Sequence, residues 1–456
     1  MNSGWIGSAE RPMRVAVVGS GPSGFYALLA LSRAANLHVQ VDIFDRLPTP
    51  FGLVRAGIAP DHASIKAVAK SYDRLARLPY VRFFGKVCVG TDVHPEELAA
   101  HYDAVVWAVG CESERRLGIP GEDLPGVHSA TEFVFWYNGH PEYADRSFAL
   151  EGARRVVVIG NGNVAMDVVR VLARHPAELA ATDIARHAWT ALHGSTVTDL
   201  ALLGRRGPAQ AAFTMPELRE LSELPAAHLH VDPEGLDWAG PADKRVDLLR
   251  AVRDRPVRHA PRTVRLRFCV SPVAFLGGDR VEAVRLVRNR LETRGDSVVA
   301  VPEGAPWDEP VDLVFKAVGY RGIALPGVPF DEGRGHIQNQ AGRVVDRAGE
   351  RVPGQYVVGW AKRGPTGVVG TNKPDAEDTV LALLTDLAGR RSGPLPEIGA
   401  LLEQRGVTHV DWAGWQRIDA EELRRGGVHG KVRDKLVHLH ELAAVARETL
   451  NLKTVI

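Results

Sequence analysis

The strongest constraint on this chain is a pattern that occurs twice: an apolar run closing on a glycine, a second glycine two residues later, and a helical stretch behind it. The first copy is Arg14-Val-Ala-Val-Val-Gly19-Ser-Gly21-Pro-Ser23-Gly24, followed by Phe25-Tyr-Ala-Leu-Leu-Ala-Leu. It reads as strand, G-x-G-x-x-G, helix. Gly19 permits a tight turn, Gly21 lets a pyrophosphate touch the backbone, and Gly24 lets the helix pack on the strand. The helix N-terminus then faces the phosphate charge. A further apolar run, Val39–Phe44, ends in Asp45, 24 residues after Gly21, where a carboxylate binds ribose hydroxyls.

The second copy is Arg155-Val-Val-Val-Ile-Gly160-Asn-Gly162-Asn163-Val164-Ala165-Met166, with Ala165 in place of the third glycine. The next strand, near Leu200–Leu203, ends not in an acid but in Gly204-Arg205-Arg206-Gly207. A carboxylate there would repel a 2′-phosphate, whereas two guanidiniums clamp it with charge-assisted bonds. This loop is therefore expected to take NADP(H) rather than NAD(H). Residues 173–194 insert a helix and a loop, which lengthens the usual spacing.

Two nucleotide folds in one chain fit a flavin plus a nicotinamide. Val105-Val-Trp-Ala-Val-Gly110 and Val314-Phe-Lys-Ala-Val-Gly319 are similar apolar runs ending in glycine, and read as the places where the chain leaves and re-enters the first unit. The predicted fold is α/β, with two Rossmann-like nucleotide-binding domains. The FAD domain is discontinuous (13–111 and 319–389), the NADP domain is inserted (112–318), and 390–456 form a helical C-terminal appendage with no assigned task. Tyr356–Lys373 returns to a strand and a glycine-rich turn, where a helix N-terminus near Gly367 would stabilise charge on a reduced flavin ring.

With 56 Lys+Arg against 55 Asp+Glu, a nucleic-acid-coating character is excluded. No apolar run approaches the roughly 20 residues of a membrane span. The start, MNSGWIGSAERPM, lacks a basic head and an apolar core, so a soluble, cytoplasmic protein is expected. Cys88, Cys111 and Cys269 form no CxxC or CxxxxC pair, which excludes a disulfide framework, a four-thiolate metal site and the dithiol flavin reductases. No metal site is expected. The run 244–267, rich in arginine, is a candidate docking patch for an acidic protein.

Further motifs carry a resemblance. They are Leu47-Pro-Thr-Pro-Phe-Gly-Leu-Val-Arg55, Ala59-Pro-Asp-His62, Ile119-Pro-Gly-Glu-Asp-Leu-Pro125, Gly204-Arg-Arg-Gly-Pro208 and Gly364-Pro-Thr-Gly-Val-Val-Gly-Thr-Asn-Lys373. With the two loops, they make the chain resemble the adrenodoxin-reductase-type ferredoxin–NADP⁺ reductases from about residue 13 onward. The resemblance implies FAD contacts at Ser23, Asp45, Leu53 and Val89, with Trp360 and Gly367, Val368 and Val369 holding the isoalloxazine. It implies NADP contacts at Arg115, Asn163, Val164, Ala165, Met166, Arg205, Arg206 and Glu217. It makes His62 and Glu220 the pair that organises the nicotinamide pocket. It also implies a monomeric reductase that draws a hydride from NADPH and serves a separate ferredoxin, since no ferredoxin domain is attached. Two other readings stay open: a single-component FAD/NADPH monooxygenase, which lacks room for a substrate domain, and a noncatalytic FAD-binding redox sensor, which has no use for a 2′-phosphate clamp.

Overall fold

The structure, a computed structural model, describes residues 4–232 and 243–448. Met13–Val18 is buried at every position and lies inside a seven-stranded sheet, as an apolar run covered on both faces must. The strand order is 339–340, 343–345, 351–357, 104–107, 13–18, 39–45, 81–85. The last five run parallel, and the first two add an antiparallel edge. Helices Pro22–Ser32 and Asn372–Leu387 cover one face, where Phe25, Leu28, Val380 and Leu383 join Val15, Val17 and Ile43. Leu98, Tyr102, Ile398 and Leu402 close the other over Ala16, Phe44 and Trp107.

A second, six-stranded sheet is parallel throughout, in the order 227–231, 262–268, 199–204, 155–159, 313–316, 127–129. A three-stranded antiparallel meander, Val270–Leu276, Ala283–Arg294 and Ser297–Pro310, packs on it through Val270, Phe275, Val284 and Leu286.

Val314–Gly319 was expected to mark the return into the first unit. Leu313–Lys316 instead lies within the second sheet, between Arg155–Ile159 and Val127–Ser129. The crossing follows it: Tyr320–Arg321 pairs antiparallel with Ser113–Glu114, so outgoing and returning segments run side by side. The two motifs look alike for a local reason. In each unit the alanine after the strand presses its carbonyl on the first glycine of the loop. A Cβ on Gly19 would overlap the Ala108 oxygen, and one on Gly160 the Ala317 oxygen.

The C-terminal helices are not peripheral to the first unit. Trp415, Ile418, Leu436 and Leu442 share one apolar cluster with Phe51, Val54 and Tyr72, and Gly85 and Val410 exchange backbone hydrogen bonds of 2.8 Å. Among the described residues no helix is long and apolar enough to cross a membrane.

The glycine contacts give a paired prediction. Gly160→Ala is expected to lower the thermal midpoint, because a φ of 133° strains an L side chain by about 1–3 kcal/mol before any overlap is counted. Gly162→Ala, whose methyl meets nothing within 4 Å, is expected to leave the midpoint unchanged. Calorimetry of the two variants tests this.

Candidate active site

The two loops divide their glycines in the same way. Gly19 and Gly24 are required by the protein itself, since a Cβ on Gly24 would overlap the Gly19 carbonyl oxygen. Gly21 is not: a Cβ there meets nothing closer than Gly52 Cα at 3.9 Å. In the second loop Gly162 is likewise open. Both open glycines stand immediately before a helix N-terminus, where unpaired N–H groups attract an anion. In the second helix Met166 N–H is taken by the Gly162 carbonyl (3.1 Å) and the Ala165 and Met166 side chains are core. A ligand can therefore meet this turn only through the backbone and the partly exposed Asn163 and Val164.

Around the first loop, Asp45 accepts from Ser20 N–H (3.0 Å), the Ser20 hydroxyl and Leu47 N–H (2.9 Å). Burial nevertheless raises its carboxyl above the usual range. Leu53 begins a short helix after Gly52, and Ser23 is buried against Gly359. Val89 lies in one apolar cluster with Phe44 and Phe84. Trp360 donates its indole N–H to the Thr366 carbonyl (3.1 Å), with Tyr320 5.4 Å away ring to ring. Gly367 takes a φ of 82°, Val368 is exposed, and Val369 opens a single turn that runs into helix Asn372–Leu387. Arg115 lines a cavity of about 410 Å³ together with Arg334, His336, Arg363, Gly364 and Thr366. The sequence singled out Arg115 alone from that cationic lining.

Arg205 and Arg206 follow strand Asp199–Gly204 with one guanidinium exposed and one half-buried. Neither side chain meets an acid among the described residues. Their backbone is anchored instead: the Arg205 carbonyl accepts from Asn289 Nδ2 (2.9 Å) and the Arg206 carbonyl from Cys269 N–H (3.1 Å). The pair is therefore mounted on the meander, and among the described residues its guanidiniums meet no acid. By contrast, the arginine run 244–267 is largely consumed internally. Arg245 pairs with Asp243, Arg250 with Asp247, Arg253 with Asp254, Arg265 with Asp199, and Arg267 with Asp232 and Glu309. As an open docking patch it is weaker than its charge count suggests.

The units meet at His62. Its Nε2 lies 2.7 Å from Glu220 and 3.9 Å from Glu217, while Nδ1 lies 3.9 Å from Asp167. Glu217 and Glu220, three apart, share a face of helix Met215–Ser222, as their spacing predicts. That helix is fixed to the second loop, because Asn163 Oδ1 accepts from Thr214 N–H (2.8 Å) and the Asn161 carbonyl from Ala212 and Phe213. Below them Arg170 is fully buried between Asp61 and Asp167, and Arg174 reaches Asp61 at 2.8 Å. Sequence reasoning missed Asp61, Asp167 and Arg170, although Asp61 adjoins His62 and the other two stand three apart on the helix behind Gly162.

Four carboxylates thus face two guanidiniums and one imidazole. Burial, and then Asp167, push the Glu217 carboxyl up to about 7. Burial works against Asp61 too, but Arg170 holds its carboxyl below the usual range. His62, Glu217 and Glu220 present donor atoms within 4.8 Å of one another. Arg170 already supplies positive charge there, 3.6 Å from Glu220 and 3.9 Å from Glu217.

With this geometry in view, the comparisons with known proteins are decisive. The chain is 45% identical to the NADPH-ferredoxin reductase FprA of Mycobacterium tuberculosis, over 95% of this chain and 99% of that protein. It is 44% identical to the mitochondrial NADPH:adrenodoxin oxidoreductase of Mus musculus, over 95% and 91%. The chain belongs to the NADPH–ferredoxin and adrenodoxin reductase family. The solved structure of Mycobacterium tuberculosis FprA in complex with NADPH superposes with a TM-score of 0.91, at 44% identity, covering 96% of this chain and all of that one. Residues 13–189 also match the pyridine nucleotide-disulphide oxidoreductase family. The three cysteines of this reductase are free, so that match reflects the nucleotide-binding fold rather than a dithiol.

The raised Glu217 carboxyl links stability to pH. Between its ordinary value near 4.5 and about 7 the folded chain holds a proton that the unfolded chain has released. Stability therefore falls as pH rises through that window. Glu217→Gln removes this component, so its thermal midpoint, relative to the parent protein, should improve on going from pH 5 to pH 8.

Proposed function

We propose that this chain is an NADPH-dependent FAD reductase that passes electrons to a separate ferredoxin-type iron–sulfur protein. The observation that carries the reading is the contrast between the two loops: equivalent open glycines, one followed by Asp45 and the other by Arg205–Arg206, whose side chains meet no acid among the described residues. The open sides of Gly21 and Gly162 fit a pyrophosphate at each, and the two guanidiniums fit a 2′-phosphate. A flavin held there would supply two-electron chemistry toward the nicotinamide and one-electron chemistry toward an iron–sulfur partner.

The chain's own residues bind and orient. Gly19, Gly21, Ser23, Gly24, Asp45, Leu53 and Val89 form the FAD site, with Trp360 and Gly367 to Val369 at the ring end. Asn163 to Met166, Arg115, Arg205, Arg206 and Glu217 form the NADP(H) site, Asn163 and Val164 at the exposed helix N-terminus and Ala165 and Met166 packing that turn on the core. His62 and Glu220 bring one side chain from each unit to the same point, and their task is positioning and charge balance at the nicotinamide. Residues 13–111 and 319–389 then form the FAD domain and 112–318 the NADP domain. The reductase works as a monomer, in the cytoplasm.

Replacing Arg205 and Arg206 together by alanine is expected to weaken NADPH binding by roughly 1.5–3 kcal/mol per lost contact. NADH binding should hardly change, and equal losses for both would sink the assignment. Gly21→Val is expected to yield folded but colourless protein. Retention of full flavin absorbance in that variant would remove the first loop from the FAD site.

A further inference from the structure

The segment 431–436, which the sequence left without a task, runs along the seam between the units. On the second unit, Val432 N–H donates to the Ala181 carbonyl (3.0 Å), Lys431 Nζ to the Ile184 carbonyl (2.6 Å), and Asp434 pairs with Arg186. Toward the first unit, Glu422 is fully buried and pairs with Arg55 (2.9 Å) while also receiving Arg433 (2.8 Å) and Leu436 N–H (3.0 Å).

At the centre lies Lys435, with a fully buried side chain. Its Nζ reaches Asp183 (3.0 Å) and the carbonyls of Asn138 (3.0 Å) and Arg55 (3.2 Å). Asp183 also holds Lys66 (2.7 and 2.8 Å), and Lys66 reaches Asn138 Oδ1 at 3.2 Å. Lys66 is the last residue of the short helix Ala63–Lys66, and His62 is its N-cap. The Lys66 N–H donates to the His62 carbonyl (3.2 Å). A continuous chain of polar contacts therefore runs from the C-terminal segment to the backbone of His62.

Buried ion pairs are poor stabilisers compared with apolar packing of the same volume, and their best-attested use is to select one arrangement. Glu220, facing His62, is fixed separately, by the Asn163–Thr214 bond of the second loop. The two side chains thus have separate anchors, in addition to the Arg170–Asp61 contact that joins the units beside His62. We propose that Lys435, acting through Asp183 and Lys66, is a positioning residue that holds the His62 helix opposite Glu220. Its relevance to the reaction rests on the role given to His62 above, but the positioning itself does not.

Two variants of the FAD-loaded full chain test this, Lys435→Met and Lys66→Met, with Arg186→Ala as a variant that loosens the segment without touching Lys66. Amide hydrogen exchange is read in the peptide spanning 61–67 and in the central strand Met13–Val18. The first two variants should raise exchange at 61–67 by about tenfold or more and leave the strand protected. Arg186→Ala should change neither. Flavin bleaching by NADPH should slow by about tenfold or more in the same two variants, with NADPH affinity retained, as expected for misplaced reacting groups. Should Lys435→Met fail to fold, Lys66→Met decides. Unchanged exchange at 61–67 in folded Lys66→Met protein overturns the proposal. Raised exchange with undiminished bleaching upholds the positioning and removes His62 from the reaction.

Discussion

Arg170 is buried completely, and Asp61 from the first unit and Asp167 from its own helix pair with its guanidinium. Desolvating a guanidinium costs several kcal/mol, and the attraction of its partners offsets this only when both are in place. A shift of one unit that removes Asp61 while Arg170 stays buried leaves the guanidinium short of a partner. The same helix begins at the second nucleotide loop, and Arg170 sits seven residues after Asn163, about 10.5 Å along the axis. The ion pair therefore fixes where the mouth of that loop stands relative to Asp61 and His62. The site at the seam inherits its geometry from this contact.

Within each unit a second constraint repeats. The first glycine of the loop is demanded by a carbonyl of the neighbouring strand end, Ala108 in one unit and Ala317 in the other. The second glycine is demanded by nothing in the protein. Fold and ligand thus impose separate requirements on residues two positions apart. A chain that kept only the fold would retain the first glycine and could lose the second. That both copies keep both is the physical reason for reading them as two binding loops.

Much of this was legible in the sequence because it is local. The loops, Asp45, the Arg205–Arg206 pair and the i, i+3 pairing of Glu217 with Glu220 all lie within single supersecondary units. What was not legible depends on which segments meet across long separations. The run Val314–Gly319 reads as a re-entry point because its Ala-Val-Gly ending matches that of the other unit, yet the match reports only the glycine–carbonyl contact in each sheet. Arg170 looked like one cation among many, since nothing local says that Asp61 will come to it. Arg265 and Arg267 find their partners Asp199, Asp232 and Glu309 only through the fold, on segments distant in sequence. The C-terminal helices carry no motif at all, and their contribution appears only as packing and as the contacts of Glu422 and Lys435.

The side-by-side course of Ser113–Glu114 and Tyr320–Arg321 has a consequence for assembly. The first sheet must join Val105 to Gln355, segments separated by more than half the chain. A direct search for that pairing closes a very long loop. Once the inserted sheet has formed, its two ends are neighbours, and the span left to close shrinks to two short arms. The loop-closure entropy falls accordingly, by on the order of 1–2 kcal/mol. Completing the host sheet around a unit already built is therefore the order with the lower loop-closure cost.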